Sequence, residues 1–291
     1  MVTGILGVLA VMTAWFCFEL FKDILKHKNS LEAETKPLIA GSIGFMTNFF
    51  DALGIGSFAP TAALLKAFKQ INDRVLPGTL NVSCALSCIA QAFIFITAIE
   101  SEPITLISML AAATLGAWLG AGFVARLSKR KIQFGMATAL FATAFLMLAG
   151  QMKWMPGGGT DIGLTGIKFI IAIVGNFALG ALMTLGIGLY APCMALVYFL
   201  GMSPKVAFPI MMGSCAFLMP VASIKFIKEN AYNRKVAMSI AIPGVIGVII
   251  AAKIVKSLPL DTLRWLVIVV VFYTSITMLL ASRKKEILEE V

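Results

Sequence analysis

The chain is short of charge and almost without histidine. Of its 291 residues only 13% are Asp, Glu, Lys or Arg, and His27 is the single histidine. Soluble domains average about 25% charged residues, so a soluble globular fold is ruled out. One histidine argues against a His-built metal centre and against a Ser-His-Asp triad. No Walker loop, dinucleotide fingerprint or pair of catalytic carboxylates occurs, so neither ATP driving nor hydrolysis has support. A disulfide framework is missing too. The five cysteines (Cys17, Cys84, Cys88, Cys193 and Cys215) are odd in number, lie in apolar segments and lack metal-finger spacing. Cys84 and Cys88 share one helical face and read as small buried hydrophobes. No cofactor or metal is expected.

What the chain has is apolar sequence, 59% of it hydrophobic. Several runs reach the ~20 residues that a helix needs to span a bilayer. The fold class is therefore an all-α polytopic membrane protein. A net charge of +10 would suggest nucleic acid in a soluble protein. Here the basic residues stand mostly between apolar runs, where they set topology and meet anionic headgroups. The expected partners are the bilayer and a small anion, not nucleic acid; homo-oligomerisation is left open.

Residues 1–37 hold an N-terminal transmembrane helix and a charged loop. The helix lacks a basic n-region and a small-residue cleavage site, so it reads as uncleaved. Residues 38–150 form a first repeat, 151–165 a connecting loop, 166–282 a second repeat and 283–291 a charged tail. The repeat is anchored by an octapeptide that occurs twice. Leu53-Gly54-Ile55-Gly56-Ser57-Phe58-Ala59-Pro60 returns 132 residues later as Leu185-Gly186-Ile187-Gly188-Leu189-Tyr190-Ala191-Pro192. Pro77 and Pro209 keep that offset; Ser83-Cys84 and Ser214-Cys215 differ from it by one residue, as do Gly116 and Gly247. Intragenic duplication explains the match.

Charge orients the halves. Lys66, Lys69 and Arg74 follow the first break, where the second has mainly Lys205. The next loop carries Glu100 and Glu102 in the first half, but Lys225, Lys228, Arg234 and Lys235 in the second. Arg126, Lys129, Arg130 and Lys131 face a less basic partner near Lys256. Matched loops thus alternate in charge, which inverted repeats require. Basic loops inside place the N-terminus outside and the C-terminus inside; Lys153, Lys205 and Lys256 are the exceptions. Each broken pair either crosses twice or dips in and returns, and the alternation holds in both cases.

Glycine and proline at one spacing inside apolar sequence break a helix, and a matched pair of breaks is the best pointer to a transporter's site. Asn48, Gly54, Gly56, Ser57 and Thr61 in one half, and Thr184, Gly186, Gly188, Tyr190 and Cys193 in the other, are candidate substrate contacts. Ser83, Cys84, Ser214 and Cys215 on the following helices are weaker ones. Hydroxyls, amides and a helix N-terminus after each break suit an oxyanion; the competing reading is helix-internal bonding and close packing. Asp51 is the one acid well inside an apolar region. It is either a functional ionisable group or an N-cap for the segment that follows. A fixed negative charge would repel an anion, so proton uptake at Asp51 would accompany anion binding.

The two breaks, the Ser-Cys pairs and the stretch GAWLGAGFVARLSKRKIQ resemble the TauE/SafE sulfite exporter family, also called the toluene-sulfonate uptake permeases, over residues 40 to 282. Many members carry consecutive glycines where this chain has Asp51-Ala52-Leu53-Gly54-Ile55-Gly56. The resemblance implies a secondary transporter of sulfite, sulfonates or other small sulfur-containing anions, not an enzyme. A passive anion channel, and a membrane enzyme or assembly subunit using the cysteines, are the rival readings.

Overall fold

The computed structural model describes residues 2–155, 158–254 and 260–283. Among them are α1 (Val2–Lys26), α2 (Pro37–Asp51), α3 (Phe58–Ala67), α4 (Leu76–Ala98), α5 (Pro103–Val124), α6 (Lys129–Gln151), α7 (Gly166–Met183), α8 (Tyr190–Phe199), α9 (Pro204–Lys228), α10 (Arg234–Ile254) and α11 (Leu260–Arg283). Pro37, Pro77, Pro103 and Pro204 stand in the first turns of their helices, where the missing N–H has no partner to lose. Seven helices of the described residues are long and apolar enough to cross a membrane. Pro156 and Gly157, the loop around Lys256 and the tail beyond Arg283 lie outside the described residues.

Hydrogen bonds decide how the broken pairs run. Thr35 Oγ1 donates to the Gln70 carbonyl at 3.1 Å, and the Lys36 N–H donates to Gln70 Oε1 at 2.7 Å. The chain before α2 therefore lies beside the chain after α3. Likewise the Ser203 N–H donates to the Asp161 carbonyl at 2.8 Å and the Gly159 N–H to the Met202 carbonyl at 2.9 Å, which joins the chain before α7 to the chain after α8. Each pair is a hairpin that dips in and returns.

The two hairpins open at opposite faces. Beside the mouth of the first, Asn233 N–H donates to Thr79 Oγ1, Gln133 Nε2 to Asp73 Oδ2, and Arg126 pairs with Glu229. The end of α1 is held at this face by Asp23, which takes bonds from Arg234 Nε at 2.8 Å and Tyr232 Oη at 2.6 Å. Beside the mouth of the second hairpin, Glu102 N–H donates to the Ile162 carbonyl and Leu164 N–H to Thr105 Oγ1. Helices α4 and α5 run from one face to the other. Lys66, Arg126, Lys129, Lys225 and Arg234 lie at the first face, and Glu100 and Glu102 lie at the second together with Lys153, Lys168 and Lys205.

Exchange of the halves also preserves the packing. Helix α2 lies on α10 as α7 lies on α5; α4 lies on α10 as α9 lies on α5; α4 meets α9, and α6 meets α11. Each half thus completes the other. The crossings are glycine contacts. A Cβ at Gly247 would stand 2.5 Å from the Phe45 carbonyl oxygen, and one at Gly116 would collide with the carbonyl of Phe177, the residue matched to Phe45. Small residues let helix backbones approach this closely in lipid. Gly116→Leu should therefore cost stability by about 1–3 kcal/mol or more, read as a several-degree fall in the unfolding temperature of the detergent-solubilised protein. An unchanged transition would mean that α5 and α7 do not touch there.

Candidate functional site

Each hairpin turns at its glycines. Gly54, Gly56, Gly186 and Gly188 have φ of +83°, +90°, +91° and +79°, the left-handed region that other residues enter only at a cost. The turns end where α3 and α8 begin, and there the hairpins meet tip to tip. A Cβ at Gly56 would lie 3.9 Å from Tyr190 Cβ, and one at Gly188 3.4 Å from Phe58 Cβ; Phe58 and Tyr190 are matched positions. Between the tips is a gap of about 20 Å³ lined by Gly56, Phe58, Thr143, Gly188 and Tyr190 among others, room for roughly one water. A cavity of about 520 Å³ reaches the tips from the second face. Its lining includes Gly54, Ile55, Ala191 and Met194 near the tips and Gln151 and Lys153 at the end of α6. A groove of about 490 Å³, almost wholly apolar, runs between α6 and the second hairpin.

Asp51 is not the start of a helix. It is the last residue of α2, and the residue before α3 is Ser57, whose side chain makes no capping bond to that helix. The N-cap reading of Asp51 is thus corrected: six residues of turn separate it from α3, too many for a cap. Its side chain is buried and accepts from Gln91 Nε2 at 2.6 Å. Tyr190 Oη lies 3.3 Å from the same carboxylate oxygen and donates to Gln91 Oε1 at 2.7 Å. A tyrosine hydroxyl has one proton, and the short bond to Gln91 uses it. A proton on Asp51 would then supply the missing donor toward Tyr190 and close a ring through both hairpins and α4.

Of the candidate contacts, Gly54, Gly56, Gly188 and Tyr190 line the gap or the large cavity. Gly186 backs onto Met136 and Leu80. The others lie behind the tips. Thr61 Oγ1 donates to Thr47 Oγ1, Thr184 Oγ1 to the Ala181 carbonyl, and Asn48 Nδ2 to the Gly44 carbonyl. Ser83 Oγ is 3.6 Å from Cys84 Sγ, Cys215 Sγ is 3.6 Å from Met183 Sδ, and Ser214 Oγ accepts from Asn176 Nδ2. Cys193 is buried in α8. Among the described residues no group of three His, Cys, Asp or Glu side chains could hold a metal ion.

Sequence reading passed over Gln91. The signal was present: Asn81, Cys84, Cys88 and Gln91 follow one another at spacings of three, four and three, a single polar face of α4, and all four are buried.

A model of the family described as Sulfite exporter TauE/SafE matches residues 1–147 and 168–290. The chain belongs to the TauE/SafE sulfite exporter family. A search of curated proteins gives no match. The two matched stretches hold both tips of this TauE/SafE protein, together with Asp51, Gln91 and Tyr190. It is a multi-pass membrane protein of a transporter family.

Proposed function

We propose that this TauE/SafE protein is a secondary transporter that moves a small sulfur-containing anion, sulfite or an organosulfonate, across the cytoplasmic membrane by alternating access. Residues 38–150 and 166–282 act as its inverted repeats. The observation that carries the reading is the meeting of two oppositely opening hairpins at a nearly closed gap, with a large cavity on one side of it. The first N–H groups of α3 and α8 have no acceptor within their helices, and both positive helix ends converge on the gap. An anion of several heavy atoms does not fit about 20 Å³, so its binding there requires the tips to part. Lys153 at the rim of the cavity supplies positive charge on the way in.

Transport in proteoliposomes tests this against the channel. Labelled sulfite, methanesulfonate and sulfate are supplied separately, and uptake is followed with membrane current. Saturable uptake of a sulfur oxyanion without unitary conductance is expected. Conductance that does not saturate would favour the channel; no flux of any of the three would refute the assignment.

The basic face is assigned to the cytoplasm, which makes the cavity outward-facing. Reporter cysteines at Glu100 and Gly158 should label from outside, and those at Lys129 and Lys228 only from inside. Labelling of Glu100 and Lys228 from the same side would contradict the inverted arrangement in the bilayer.

A further inference from the structure

Thr13, Thr47, Thr79, Thr97, Thr114 and Thr138 each donate to the carbonyl four residues earlier in their helices. That back-bond is the ordinary way to satisfy a threonine hydroxyl inside an apolar helix. Thr143 departs from it. It stands within α6, its side chain is 6% exposed, and its Oγ1 has no hydrogen-bond partner among the described residues. A buried hydroxyl without a partner carries a desolvation cost that nothing in the fold offsets.

The hydroxyl belongs to the gap between the tips, which Thr143 lines. Met147, one turn farther along α6, lines both the gap and the large cavity. Helix α6 thus runs beside the way in, and Thr143 stands at its inner end. Thr143 also borders the apolar groove, which a charged group enters only at a large desolvation cost. The gap is where its hydroxyl can meet an anion.

The other groups around the gap leave that part to Thr143. Among the described residues lining it there is no lysine, arginine or histidine. Tyr190 brings the other hydroxyl, and its proton goes to Gln91. Phe58, Ala59, Tyr190 and Ala191 hold the first two positions of α3 and α8 and line the gap. Their N–H groups have no acceptor within the helix. At the third position Pro60 and Pro192 bring no N–H at all. The duplication repeats the threonine as well: Thr143 returns 131 residues later as Thr274, buried in α11. Helix α11 lies on α3 as α6 lies on α8, so each tip is backed by a helix that carries a threonine.

We infer that Thr143 is a substrate-binding residue whose hydroxyl donates to an oxygen of the anion held between the parted tips. It adds a side-chain donor to the backbone donors of the two helix ends and favours anions that carry acceptor oxygens. A hydrogen bond to an ionised acceptor is of the strong kind. The identity of the anion rests on the transport reading; the contact is tested apart from it.

Two variants of the full-length protein make the test. Thr143→Val removes the hydroxyl and keeps the branched shape, whereas Thr143→Ser keeps the hydroxyl. No bond is lost in Thr143→Val, so it should melt at the wild-type temperature or above. In proteoliposomes its apparent KM for methanesulfonate should rise by about tenfold or more, while Thr143→Ser stays near the wild-type value. Methanesulfonate should also raise the melting temperature of the purified protein in a saturable way. Thr143→Val should move that curve to higher concentration, and Thr143→Ser should not. Unchanged KM and an unchanged melting curve in Thr143→Val would overturn the inference, as would equal losses in both variants. A lower melting temperature at unchanged KM would make the hydroxyl a structural group and overturn it too. The two readings fail separately. Wild-type uptake that is indifferent to Thr143 refutes the contact alone. No uptake, with a methanesulfonate melting shift that needs the hydroxyl, refutes the transport reading and leaves the contact standing. Neither uptake nor a melting shift refutes both.

Discussion

Gly56→Leu and Gly188→Leu should each abolish anion transport in a protein that still folds and inserts. Both glycines have positive φ, +90° and +79°, where a side chain costs about 1–2 kcal/mol. That is a tolerable loss of stability for a protein held together by long helix contacts. The functional cost is larger, because the new side chain projects where the tips meet. A Cβ already lies 3.9 Å or 3.4 Å from the facing tip, and the three further carbons of leucine exceed a gap of about 20 Å³. Displacing binding groups by about 1 Å is enough to lose roughly 100-fold in rate. Initial uptake rates in proteoliposomes, with gel filtration to confirm folding, measure the effect. Gly7→Leu in α1, where an added Cβ meets nothing within 4 Å, should transport normally. Transport retained in both tip variants would move the site away from the hairpins.

The second large effect is expected at Asp51. Its match in the other half is Met183, so the acid stands on one side of the symmetry only. An anion bound near a fixed carboxylate is repelled strongly in a low dielectric, and neutralising the acid removes that term. Anion and proton should therefore move together. A pH gradient of one unit should change anion accumulation by about tenfold in the wild type. In Asp51→Asn that response should vanish while anion exchange persists. Asparagine keeps an oxygen for Gln91 Nε2, and no capping bond to α3 is at stake, because Asp51 ends α2. Unchanged pH-driven accumulation in Asp51→Asn would leave the residue a purely structural member of its ring.

How much of this was legible depended on which physical property wrote the signal. The duplicated octapeptide exposed both breaks, because glycine and proline constrain backbone independently of the surroundings. Loop charge is what supports an inverted arrangement of the halves, because it responds to the side of the membrane. The course of each broken pair was not legible. A helix of 15 residues followed by one of 10 satisfies two short crossings or a hairpin, and the choice rests on Thr35, Lys36 and Gln70, polar residues in an ordinary-looking loop. Side-chain direction was hidden for a different reason. In lipid both faces of a helix are apolar, so polarity does not mark the inside. On α5 the mark is size: Ala113, Gly116 and Ala117 are buried while Leu115, Trp118 and Phe123 are exposed. Asp51 was misplaced by a few residues because a strong capping residue before a glycine turn reads equally well as the end of one helix or the start of the next.

The central claim is that the substrate anion is held between the tips by both halves. Ile55 and Ala191, one from each hairpin, line both the large cavity and the gap. The direct measurement places a single reporter cysteine at either position, in a chain whose five native cysteines are replaced by alanine. Its modification by a charged thiol reagent added from outside is timed with and without methanesulfonate, an anion that does not itself consume the reagent. Slowing at both Ile55 and Ala191, saturable in methanesulfonate and absent with the corresponding alkyl alcohol, is the predicted result. Unchanged rates at both positions, or protection confined to one hairpin, would contradict a site shared by the two repeats.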